Sequence, residues 1–309
     1  MKNKLTIGII VLVIIGIGFV LYKTSKTGSM SPSNQAESNI INIVAAENFY
    51  GDIAEQLGGN KVQVLSILSD PNADPHEYES SVKDAEAVSK AQIVIKNGDD
   101  YDTWMDKLLS ASPNSNRIVL TGVDIANHKL PDNPHVWYGV DNVQTIAASI
   151  TDSLKKADPA DSSTFDSNLA TFDNSLQPLQ QKIADIKAKY TGTPVGLTET
   201  IYLYQTGPEG LNVLTPLAFE RAVAEGNDPS ADDVAKSNDQ ITGKEVKVLI
   251  YNEQTITPIT TNLQNEAKQQ NIPVVPVTET MPTNKHYQSW MMGQLTALEN
   301  ALASTTVSH

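Results

Sequence analysis

No cysteine occurs in the 309 residues. Disulfides, thiolate metal sites, cysteine nucleophiles and lipid attachment through cysteine are therefore excluded together. Basic residues are also scarce: 22 lysines and arginines stand against 36 aspartates and glutamates, a formal net charge of -14. That imbalance argues against nucleic acid and against an anionic membrane surface as the main partner. It suits a soluble exported protein whose surface weakly attracts cations. The chain has no Gly-x-Ser-x-Gly, no His-Glu-x-x-His, no phosphate-cradling glycine loop and no Gly-x-Gly-x-x-Gly. These absences count against hydrolase and nucleotide chemistry.

Residues 1–26 stand apart from the rest. Lys2 and Lys4 precede an apolar run from Leu5 to about Tyr22. Its length lies at the lower edge of a membrane span and the upper edge of a signal-peptide core. No clear small-x-small cleavage site follows. The segment reads as a signal-anchor holding an extracytoplasmic body at the cell membrane, with a cleaved signal peptide and secretion as the alternative. Residues 27–39 are polar and serine-rich, a flexible tether with a reach of ~20 Å as random coil.

From Ile40 on, strand-like and helix-like segments alternate. Short apolar runs at Ile41–Ala46, Val62–Leu68, Gln92–Lys96 and Arg117–Val123 read as strands. Helical patterns lie between them: one ends at Leu57 before Gly58-Gly59, and others span residues 80–91 and 101–110. Asn142 to Tyr190 carries no strand signal and reads as two helices broken near Asp158-Pro159, the second long. Pro178 is expected to bend that helix or reset its start, because proline removes a helical hydrogen bond. The rhythm then resumes, with strands at 194–198, 247–251 and 273–277 and helices at 217–225, 258–270 and 286–302. The expectation is an α/β protein: two lobes of mostly parallel sheet flanked by helices, 40–141 and 191–309, joined by a helical segment at 142–190. No residue-level repeat links the halves.

Two stretches share one design. Asp74-Pro75-His76-Glu77-Tyr78-Glu79 and Asn133-Pro134-His135-Val136-Trp137-Tyr138 each follow a strand-like run and precede a helix. The carboxyl ends of strands are where open α/β sheets bind ligands. For either stretch alone, a proline turn with a solvated histidine is the stronger reading; the pairing favours a site. Glu199 and Glu279 also stand at strand ends, in the second half. Two imidazoles and two carboxylates suit a first-row divalent metal, and two carboxylates balance a 2+ charge.

On these motifs the sequence resembles the metal-binding solute-binding proteins of bacterial ABC importers, the zinc and manganese group (cluster A-I). Asp74-Pro75-His76-x-Tyr78-Glu79 is similar to that family's first ligand motif, and Asn133-Pro134-His135-Val136-Trp137 to its second. Thr198-Glu199-Thr200-Ile201-Tyr202-Leu203-Tyr204 falls where the family carries a third ligand, and Val277-Thr278-Glu279-Thr280 where it carries a carboxylate. The resemblance covers roughly Asn42 to Ala303. It implies two α/β lobes joined by one long helix, with His76, His135, Glu199 and Glu279 holding a metal between them. The sequence departs from the family in having no lipidated cysteine and no histidine-rich loop. The last ligand is often aspartate in the family, and Glu253 is the alternative to Glu279 here.

The resemblance implies a receptor, not an enzyme: it captures manganese or zinc, with ferrous iron also conceivable, and delivers it to an ABC permease. It is expected to act as a monomer without nucleic acid. The alternatives are a metal-dependent hydrolase with Glu77 or Glu199 as base, and a surface adhesin with a structural metal. Outside the four ligands, Glu77 and Glu79 read as acceptors for the His76 ring or as solvated helix-face residues. His128, His286 and His309 read as surface residues. Trp137, Tyr202 and Tyr204 read as either cleft wall or core.

Overall fold

The computed structural model describes residues 40–70, 75 and 78–306. The expected anchor and tether (residues 1–39), and Asp74, His76, Glu77 and His309, lie outside them. Among the described residues no helix is long and apolar enough to cross a membrane.

Two four-stranded parallel sheets carry the chain. The first comprises β1 (Ile41–Glu47), β2 (Val62–Leu68), β3 (Ile93–Lys96) and β4 (Ile118–Thr121), in the order β2-β1-β3-β4. Ile43 is in register with Val64 on one side and Ile93 on the other. Its helices are α1 (Asn48–Gly58), α2 (Val82–Lys90), α3 (Thr103–Ala111) and the single turn α4 (Gly122–Ile125). Then come α5 (Val140–Ala157) and α6 (Ser162–Tyr190). The second sheet comprises β5 (Pro194–Leu197), β6 (Asn212–Val213), β7 (Val248–Asn252) and β8 (Val274–Val277), in the equivalent order β6-β5-β7-β8. Its helices are α7 (Leu203–Glu209), α8 (Leu217–Ala224), α9 (Ala231–Thr242), α10 (Pro258–Gln269) and α11 (Tyr287–Thr306).

The period of two along the strands sorts residues between layers. Ile41, Ile43 and Ala45 of β1 face the main core, while Val44 and Ala46 face a smaller cluster with Val88, Val94, Trp104 and Met105 under α2 and α3. In the second sheet Val248 and Ile250 face the main core, and Leu249 faces Phe219, Ile241 and Leu263 under α8, α9 and α10. The main core runs without a break from one sheet to the other.

Helix α6 explains that continuity. Phe165, Phe172, Leu176, Leu179 and Ile186 recur at helical spacing and are all buried. Pro178 lies inside this 29-residue helix and does not reset its start, which is Ser162. The buried neighbours Leu176 and Leu179 hold the helix on the core across the missing N–H. Lys182 and Lys189 both pair with Glu299 of α11, at 2.6 and 2.7 Å. The last helix in turn returns to the first lobe, where Tyr287 N–H and the His286 ring bond the two oxygens of the buried Asp52 of α1.

The sequence pattern missed three elements. β6 has two residues, too few for periodicity. α7 contains Gly207 and Pro208, which mask a helical signal. α9 is polar, and only its cap was legible: Ser230 accepts from Asp233 N–H, as a Ser before a helix should. The strand expected through Val123 stops at Thr121, with Gly122 and Val123 entering α4.

Candidate metal centre

The loop after β3 is built on Asn97-Gly98. Gly98 has φ +85°, a left-handed conformation, and a Cβ there would meet Thr121 Cγ2 at 2.5 Å. Asp102 accepts from the N–H groups of Asn97 and Gly98 at 2.7 and 2.8 Å, which closes the turn and aims Tyr101 at the second lobe. Asn97 donates through Nδ2 to Pro134 O at 3.0 Å and so fixes the loop that carries His135.

That loop is tied to the second lobe along its length. Asn133 donates to Thr200 O, Tyr204 to Asn133 O, Gln205 to Tyr138 O, Tyr138 to Thr278 O and Tyr287 to Trp137 O. His135 is 1% exposed. Asn133 Oδ1 accepts from the His135 backbone N–H at 3.1 Å, so it is the acceptor for the ring as well, 2.8 Å from Nδ1. The proton therefore sits on Nδ1, and Nε2 presents its lone pair. Trp137 packs edge-on to the ring at 5.2 Å and stacks on Phe49 at 4.5 Å. Trp137, Tyr202 and Tyr204 are thus all buried, and Trp137 is both core and wall.

Glu199 follows β5 and is buried. Its Oε2 accepts from Ile201 N–H at 3.0 Å and caps the short turn Thr200–Tyr202, while Oε1 is buried without a hydrogen-bond partner. Burial, then the charge of Glu279, holds the Glu199 carboxyl well above the usual range, with Ile201, Asn252 and Thr200 acting against them. Glu279 follows β8 and is also buried. Its Oε1 accepts from Asn252 Nδ2 at 2.5 Å and Thr255 Oγ1 at 3.3 Å, and its Oε2 from the Tyr101 hydroxyl at 2.9 Å. Its backbone N–H donates to Gln254.

His135, Glu199 and Glu279 each offer a donor atom, and the three atoms lie within 4.8 Å of one another. His76, the remaining expected ligand, lies outside the described residues. Glu253 does not join the group: it is exposed and accepts from Tyr251 at 3.4 Å, because alternation along β7 turns Asn252 inward and the next residue out. His128 is exposed. His286 is exposed too, and its bond to Asp52 and that carboxylate's charge raise its pKa. Glu79 is exposed. Tyr101, Asn252 and Gln254, which hold the donors, were not singled out from sequence, and Asn133 entered only as the first residue of its motif. Their one signal is position: Asn252 is a polar residue ending an otherwise apolar strand.

A cavity of about 340 Å³ opens above His135, lined also by Asp99, Asp100, Asp132, Arg221 and Glu225. A larger one, about 470 Å³, lies beside His128, Asp141 and Gln205, away from the carboxylates. The smaller is the one joined to the chemistry.

A family model described as zinc-uptake complex component A, periplasmic, matches residues 43–301. The chain belongs to this family. It is 29% identical over 179 residues to the metal ABC transporter substrate-binding lipoprotein ScbA of Streptococcus cristatus, covering 54% of this chain and 56% of that protein. The same identity and coverage relate it to the manganese ABC transporter substrate-binding lipoprotein scaA of Streptococcus gordonii. The chain thus spans about half the length of the curated relatives it matches. Among solved structures, the solute-binding protein FpvC of Pseudomonas aeruginosa, in complex with Ni2+, superposes with a TM-score of 0.71 at 20% identity. That match covers 86% of this chain and 97% of FpvC, and it bears out the fold of two lobes joined by a long helix.

Proposed function

We propose that this chain is the solute-binding component of an ABC importer, which captures one divalent transition metal between its lobes and hands it to the membrane permease. The observation that carries this reading is the convergence of three buried donors from the two lobes within 4.8 Å. Two carboxylates this close repel each other when both are charged, and a 2+ ion between them turns that repulsion into attraction. The ligands of this proposal are His135, Glu199 and Glu279, with His76 as the fourth. The lobes are taken as 40–141 and 191–309, with 142–190 between them. The family's zinc description and the manganese named for scaA make these two metals the leading cargo, with ferrous iron third. The work is binding rather than catalysis: four protein ligands leave a tetrahedral ion no open position for a reacting water. The curated relatives are lipoproteins, whereas these residues include no cysteine, so the apolar run from Leu5 is the proposed membrane anchor for an extracytoplasmic body. A monomer is sufficient for this function.

Metal stripping followed by titration tests the reading. One saturable site is expected, with a thermal midpoint that rises as it fills, because the ion binds the folded state. Elemental analysis of protein purified from its host would name the cargo. A titration with no saturable binding, or with several equivalent sites, would overturn the proposal.

A further inference from the structure

The start of α1 touches both halves of the donor group. Asn48, its first residue, is half-buried and holds Met281 of the second lobe by both sides of its amide. Its Nδ2 donates to Met281 O at 2.7 Å, and its Oδ1 accepts from Met281 N–H at 3.0 Å. Met281 stands two residues beyond Glu279, and its side chain is buried in the main core. The next residue, Phe49, stacks on Trp137, two residues beyond His135, and lies 6.1 Å from the Trp290 ring. Trp290 in turn donates through Nε1 to Thr278 Oγ1 at 2.9 Å, one residue before Glu279. Two consecutive residues of the first lobe thus bracket the Glu279 loop and brace the His135 loop.

We propose that Asn48 is a positioning residue for metal binding: by gripping both backbone polar groups of Met281, it sets where Glu279 stands relative to His135. This rests on the metal-binding reading above. Gln254 Oε1 also holds the loop, accepting from the N–H groups of Glu279 and Thr280 at 2.5 and 3.2 Å. Gln254 comes from the same lobe as the loop, so it cannot fix the loop against the imidazole. Tyr101, from the first lobe, reaches the Glu279 carboxylate itself. Asn48 is the first-lobe side chain that holds the backbone of that loop. Two opposed hydrogen bonds to one residue restrain its rotation as well as its distance, which a single bond does not. Donors contributed by two lobes serve one ion only at a fixed separation, and losing a group that orients a ligand typically costs about 10- to 100-fold in metal affinity.

The test measures Zn2+ affinity against a chromophoric competitor in metal-stripped wild type and Asn48→Ala, each with and without Glu279→Ala. We expect Asn48→Ala to weaken binding about tenfold when Glu279 is present, equivalent to about 1.4 kcal/mol, and by less than about twofold when it is absent. A residue that merely joins the lobes would cost the same in both backgrounds, because it does not act through that carboxylate. Asn48→Asp keeps the shape and the acceptor but turns an oxygen toward Met281 O. At about pH 8, where an aspartate is ordinarily ionised, it should lose at least as much as Asn48→Ala. Compared in the same two backgrounds, it decides the matter if Asn48→Ala does not fold. Wild-type affinity in the Asn48 variant, or equal losses with and without Glu279, overturns this inference alone. Absence of saturable binding in wild type overturns the metal reading and this inference with it.

Discussion

Asn97 and Asn252 occupy equivalent places in the two sheets, yet they hold different things. Asn97 follows β3 and Asn252 ends β7, each beside the point where the strand order reverses. Asn97 grips backbone, donating to Pro134 O, and leaves the imidazole of His135 to Asn133. Asn252 grips the carboxylate of Glu279 directly. The donor groups explain the difference. An imidazole offers one lone pair along a direction set by its ring plane, so fixing the loop and the tautomer is enough. A carboxylate has two equivalent oxygens and a longer side chain, so it must be held by its own atoms. The first strands of the sheets differ similarly. Glu47 ends β1 with both oxygens buried and unpartnered, and burial followed by the charge of Asp102 raises its pKa well above the usual range. Glu199, after β5, has one oxygen capped and the other in the donor group. The first lobe brings an imidazole to the group of three donors, and the second brings two carboxylates.

The sharpest way to break this comparison is to remove the imidazole. His135→Ala should lower affinity for every metal by at least about a hundredfold, near 2.8 kcal/mol, with the fold intact by circular dichroism. Retention of wild-type affinity would mean that the first lobe contributes no ligand at this position. A smaller effect is expected from Asn133→Ala, which frees the His135 tautomer and should cost roughly 10- to 100-fold in affinity. It should leave the ratio of manganese to zinc unchanged, because it alters how well an imidazole is aimed and not how many oxygens are offered. A shifted ratio in the Asn133 variant would erase the distinction between the two kinds of support.

The smallest effect concerns His286 and Asp52, where the last helix meets the first. The folded pKa of His286 is raised by Asp52, so the pair's contribution is fully present below the unfolded value of about 6.5 and is lost as pH rises through the folded value. The His286 side chain is 72% exposed, so solvent screening keeps this to about 0.5 kcal/mol or less. Thermal midpoints of His286→Gln and wild type should differ at pH 5.5 and converge by pH 9. A gap that widens with pH would contradict the assigned sign.

Local sequence determined a good deal. The apolar run Val62–Leu68 is β2 over that same span, and the break at Asp158-Pro159 separates α5 from α6. His135 and the two carboxylates stand at strand ends or in loops beyond them, as their spacing implied. These features depend on neighbours within a few residues, through backbone sterics and the alternation of burial, so a chain read in order reveals them. What lay beyond such reading was the choice between Glu253 and Glu279 and the side chains that hold the donors. Tyr101 and Glu279 are 178 positions apart, and Asn252 and Glu279 are 27 apart. Only the tertiary structure brings such pairs within hydrogen-bonding distance, because their meeting depends on how two sheets and one long helix share a core. The sequence by itself therefore determined which kinds of donor the chain carries, and the packing of the lobes decided which of them meet and which neighbours hold them.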